Sequence, residues 1–132
     1  MLQRLNPATL RPVPEPFAGI YAHSTALEHP QKLVAMSGQI GVAPDGTTAA
    51  DFAGQCHQAM EYVERLLDAH GLGLSNMLRV TYYLTRQADL PALRDIRDAR
   101  WHAAAPPAVT VLVVAGLASP DLLVEIEVLA GR

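Results

Sequence analysis

Only two stretches of this chain have helical periodicity, against five that read as strands, and that ratio limits the fold more than anything else in the sequence. From Asp51 to His70, the residues Phe52, Cys56, Ala59, Met60, Val63, Leu66 and Leu67 recur at the spacing of one helix face, and Gly71 marks the stop. The second helix is predicted from Leu90 to Ala103, with Leu90, Leu93 and Ile96 as its apolar spine and Pro106 and Pro107 beyond it. Strands are predicted at 20–25, 32–38, 76–85, 108–114 and 122–129, where β-branched and aromatic residues gather between turn signals. The order β-β-α-β-α-β-β describes one α+β domain over residues 1–132, a mixed sheet with both helices on one face. The uncovered face must meet solvent or another subunit. Val111, Val113, Val124, Ile126 and Val128 argue against two wet strands, so an oligomer is expected.

The segment before residue 17 holds Pro7, Pro12, Pro14 and Pro16 and is expected to be extended, with few backbone hydrogen bonds. Across the turn signal E-H-P-Q at 28–31, the first two predicted strands read as a hairpin. A-P-D-G-T-T at 43–48 then breaks the sheet. Cys56 falls in the apolar stripe of the first helix and is read as an inert core thiol.

Composition removes several functions. A net charge of -3 offers no cationic footprint for a polyanion, and nucleic acid is not an expected partner. A single cysteine excludes an internal disulfide. No apolar run approaches eighteen residues and the first twenty lack a leader-like apolar core. The expectation is a soluble, cytoplasmic protein without a membrane partner.

Few residues remain to carry chemistry. The histidines at 23, 29, 57, 70 and 102 have neither the i, i+4 nor the H-x-H spacing of a zinc site, and no glycine-rich phosphate loop or G-x-S-x-G elbow occurs. Neither a metal nor any other cofactor is expected. Arg94, Arg97 and Arg100 lie at i, i+3 and i+6, which is either a solvated face with Arg94 paired to Asp98 or an anion-binding strip. Glu125 and Glu127 share one face of the last strand, and among so many aliphatic neighbours each must be solvated or hydrogen-bonded.

Y-A-H-S at 21–24, M-S-G-Q-I at 36–40, D-F-x-x-Q at 51–55, R-V-T-Y-Y-L-T at 79–85 and L-V-E-I-E-V-L-A at 123–130 together resemble the Rid family, also called YjgF or L-PSP, over residues 5 to 130 or so. Its best-known members are imine and enamine deaminases. The resemblance implies a chorismate-mutase-like fold and a homotrimer whose sheets form a central barrel. It also implies small-molecule clefts between subunits, lined by Tyr21, Ser37, Gly38, the strand from Pro107 (Val109 and Thr110) and Glu125. Arg94 occupies the point in the second helix where relatives place a polar residue near a neighbouring cleft.

One departure matters. Imine deaminases of the family carry P-A-R at the start of the fourth predicted strand, where the arginine forks onto the substrate carboxylate. This chain has P-A-V-T, with Val109 at that place. A carboxylate there forgoes a charge-assisted contact of about 1.5 to 3 kcal/mol while keeping its desolvation cost. Three readings stay open: a deaminase or related hydrolase for a small enamine, imine or amine other than the standard 2-imino acids, with Glu125 as acid/base; a non-catalytic small-ligand binder; and, more remotely, an endoribonuclease or translation inhibitor.

Overall fold

The long helix forms where its periodicity places it, because both ends are marked chemically. In the computed structural model, which describes residues 2–102 and 105–132, α1 spans Phe52–Ala69. The Asp51 carboxylate accepts a hydrogen bond from the Gly54 amide at 2.8 Å, and Gly71 takes the positive φ of 70° that follows the last turn. Cys56 is fully buried on its inner face, and burial pushes the thiol up to about 12. Its inertness follows.

The strands are β1 (Leu2–Leu5), β2 (Ser24–Leu27), β3 (Leu33–Ala35), β4 (Gln39–Ile40), β5 (Met77–Leu84), β6 (Ala108–Val113) and β7 (Val124–Gly131), and the second helix, α2, is Leu90–Arg100. The main sheet runs β3-β7-β5-β6, with β4 also pairing β7. Among the described strands, β5 and β6 form the parallel pair, joined by the crossover through α2. The predicted last two strands are therefore not neighbours, since β5 lies between them.

Two expectations about the N-terminal third fail. Strands β2 and β3 do not form a hairpin: β2 pairs antiparallel with β1, and β3 pairs with β7. The reason lies in the turn. His29 takes a φ of 47°, and the next amides, Gln31 and Lys32, both donate to the Arg132 carbonyl, which carries the chain onto the end of β7 instead of back along β2. The segment expected to lack backbone pairing begins with the paired strand β1. A single parallel bridge, Ala22 to Ala108, fastens this ribbon to the start of β6, and Arg4 ties it down by donating to the carbonyls of Pro106 and Ser75.

The helix α2 ends at Arg100, short of the predicted Ala103, which lies outside the described residues. Trp101 leaves helical geometry and donates its indole N–H to Glu64 at 2.8 Å. Arg100 forks onto the same carboxylate at 2.7 and 2.8 Å. One acidic residue of α1 thus fixes how α2 stops. The Arg100 guanidinium, and after it the Trp101 indole, hold the Glu64 carboxyl below the usual carboxylate range, against the burial that pushes it up. A carboxyl depressed in the folded state stabilises above its ordinary pKa, and that contribution is lost as pH falls through the lowered value. Stability measured by denaturant midpoint should therefore fall on acidification below about pH 4.3, and Glu64→Gln should flatten that limb while lowering the neutral-pH plateau. An unchanged acid limb in the variant would remove Glu64 from the account.

Strand alternation sorts the sheet into two faces. Val80, Tyr82 and Leu84 of β5 and Val124, Ile126, Val128 and Ala130 of β7 are buried in the core with the α1 stripe, Leu93 and Trp101. Both helices lie on that side, as expected. The opposite face carries Thr81, Tyr83, Thr110, Leu112, Glu125, Glu127 and Leu129. This corrects the sequence-based case for an oligomer: Val124, Ile126 and Val128 point under the helices, and Val111 lies beside α2. The open face is mixed rather than valine-rich, and within one chain the sheet does not close into a barrel. Among the described residues, no helix is long and apolar enough to cross a membrane.

Candidate functional site

The residues singled out from the sequence fall into two groups at opposite edges of the sheet. At the β6 edge, Tyr21, Arg94 and Val109 line one cavity of about 290 Å³ together with Arg11, Phe17 and Arg97 among others. Apolar side chains of α2 and β6, notably Leu93 and Val111, also line it. Thr110 does not join them. Alternation turns it to the open face beside Thr81, with which it is in register.

At the other edge, the residue entering β4, Gly38, lies against Glu125, with Ser37 next to it in sequence. Ile40 is in register with Glu125, and a Cβ built on Gly38 would come within 2.6 Å of the Glu125 carboxyl carbon and Oε2. Only glycine lets the carboxylate lie there. The two glutamates of β7 are not equivalent. Glu127 accepts a hydrogen bond from the Tyr83 phenol at 2.8 Å, which pushes that phenol up, whereas Glu125 makes no side-chain hydrogen bond among the described residues. Of the pair, Glu125 is the carboxylate left available for chemistry.

The arginine strip of α2 divides. Arg100 belongs to Glu64 and also donates to His57 Nδ1 at 3.0 Å, while Arg94 and Arg97 flank the Phe17 ring at 5.7 and 6.0 Å from its centroid. Asp98, the expected partner of Arg94, instead meets Arg97 Nε at 3.4 Å. Within the strip the sequence favoured Arg94 over Arg97, and it did not single out Phe17. The available signal was position, since Arg97 lies i+4 from Leu93 and i+7 from Leu90, on the buried stripe of α2 and not its wet side. For metals, no three His, Cys, Asp or Glu side chains come together among the described residues.

An open mixed sheet with two helices on one face defines the class, a small α+β domain. The family model described as Endoribonuclease L-PSP matches residues 15–131, and the chain belongs to that family, the Rid or YjgF family of the sequence motifs. The 2-iminobutanoate/2-iminopropanoate deaminase of Salmonella typhimurium is 32% identical over 103 residues, which cover 76% of this chain and 80% of that protein. The crystal structure of YyfB from Yersinia pestis, a Rid protein of unknown function, superposes with a TM-score of 0.85 at 25% identity over 99% of this chain and 98% of that one. Escherichia coli TdcF with bound serine gives a TM-score of 0.71 at 28% identity, covering 86% of this chain and 89% of that one.

Proposed function

We propose that the protein is a deaminase-like hydrolase for a small imine or enamine other than the standard 2-imino acids, with Glu125 as its acid/base. The observation that carries the reading is the Glu125 carboxylate, seated against Gly38 with no side-chain hydrogen bond among the described residues while its neighbour Glu127 is engaged. A water beside that carboxylate attacks the carbon of the protonated imine as Glu125 takes its proton, giving a neutral carbinolamine. Glu125 then returns that proton to nitrogen and takes the hydroxyl proton as ammonia leaves and the carbonyl forms. An enamine needs one earlier proton transfer to carbon. Tyr21, Ser37 and Gly38 shape the pocket, and Arg94 stands at its rim.

Val109 on β6 and Glu125 on β7 are separated by β5 and lie on opposite faces of the sheet, which supports assembly of the site between copies. A homotrimer with the β6 edge of one chain beside the β4 edge of the next would join Tyr21 and Val109 to Glu125. Val109 also favours a second reading, a small-ligand binder without turnover, because it removes the family's carboxylate holder. The ribonuclease in the family's name finds no support in a chain of net charge -3 whose open sheet face carries two glutamates.

Light scattering combined with an ammonia-release assay on a panel of imines and enamines tests this. The expected particle is about 43 kDa, three times 14.2 kDa, with turnover of at least one panel member faster than that of 2-aminoacrylate. A monomer would dissolve the shared site. An intact trimer inert on the whole panel would leave the binder.

A further inference from the structure

We infer that the cavity between the Phe17 segment, α2 and the β6 edge is an anion site in its own right, held by Arg97 with Arg94 beside it, for a small organic carboxylate with an apolar body. Arg97 is only 5% exposed, yet it lines the cavity. Its one side-chain hydrogen bond among the described residues is the 3.4 Å contact from Nε to Asp98, a carboxylate whose side chain is 42% exposed. A buried guanidinium with so weak a counter-charge is costly, and contact with the Phe17 ring offsets only part of that cost. Arg94 brings a second cation to the same ring. Two like charges gathered at one concave, partly desolvated place are best satisfied by an anion between them, and the guanidinium fork suits the two oxygens of a carboxylate.

The rest of the cavity sets the ligand's body. Phe17, Leu93, Val109 and Val111 give apolar walls, and a volume of about 290 Å³ is at the small end for ligand pockets. A bare inorganic anion would leave those walls wet. The cation sits on the helix side of the cavity, not at strand position 109, so a carboxylate held here lies displaced from where the strand arginine of P-A-R relatives would put it.

Titration calorimetry on the whole protein tests the inference without requiring turnover. The probes are 4-methylpentanoate, its uncharged amide and inorganic phosphate. The carboxylate should bind wild type at least about tenfold more tightly than either other probe, and Arg97→Met should weaken it by at least about tenfold, with Arg97→Lys between. Arg97→Met should melt no lower than wild type, because it removes a poorly partnered buried charge. Equal binding of carboxylate and amide, equal binding of phosphate, undiminished affinity in Arg97→Met, or a much lower melting temperature for that variant would each overturn the assignment. Binding without deamination would leave this site standing and remove the deaminase reading. Turnover of an anionic imine with unchanged kcat/KM in Arg97→Met would do the reverse.

Discussion

Glu125→Gln should lower kcat by about 10² to 10⁴-fold on whichever imine or enamine the protein hydrolyses, with the melting temperature little changed. The substitution keeps the shape of the side chain, so the fit against Gly38 survives, but an amide cannot take a proton from the attacking water. The fold has little to lose, since Glu125 makes no side-chain hydrogen bond among the described residues that the amide would break. The matched control is Glu127→Gln. Its side-chain oxygen can still accept from the Tyr83 phenol, and turnover should stay near wild type. Steady-state kinetics on the two variants decides the matter: if Glu125→Gln keeps half or more of the wild-type kcat, the acid/base lies elsewhere.

That the two glutamates differ was not legible in the sequence, although their presence was. Period-2 alternation says that Glu125 and Glu127 share a face; it does not say which residue of the neighbouring strand stands opposite each. Tyr83 settles this through the register of β5, directly across from Glu125 but donating diagonally to Glu127. The same limit explains the misplaced valines. Alternation groups Val124, Ile126 and Val128 correctly, but their side of the sheet is fixed only when α1 docks.

Elements specified by local chemistry were read accurately, as with α1, whose capping aspartate, apolar stripe and terminal glycine all lie within its own sequence. Elements specified by distant partners were not. The false hairpin of β2 with β3 came from proximity in sequence, whereas β3 is captured by β7 almost a hundred residues away. Arg97 belongs to the same class: three arginines at i, i+3 and i+6 look alike until Glu64 takes one and Phe17 gathers the other two. The motif-based resemblance did better because it draws on whole-fold information that local pattern lacks, and the family match over residues 15–131 agrees with it.

Two glycines three residues apart should respond to alanine in opposite ways. At Gly38 the new methyl would meet the far end of the flexible Glu125 side chain, which can swing aside, so Gly38→Ala should fold well and lose turnover. At Gly41 the methyl would land on the Gln55 backbone Cα in the first turns of α1, and nothing there can swing. Gln55 is buried and held three ways: its amide donates to the carbonyls of Ala49 and Asp121 at 2.9 Å, and its oxygen accepts from the Leu123 amide at 2.8 Å. Moving the start of α1 by enough to admit a methyl would strain those bonds and the loop entering β7, two residues before Glu125. Overpacking against backbone in a closed core typically costs 1 to 3 kcal/mol, and with the Gln55 clamp disturbed Gly41→Ala should lose about 3 kcal/mol. For a domain of this size that is a fall of about 10 °C in melting temperature, read by calorimetry. A wild-type Tm for Gly41→Ala would mean that α1 sits farther from β4 than the fold described here has it, and would loosen the path by which Gln55 positions the Glu125 strand.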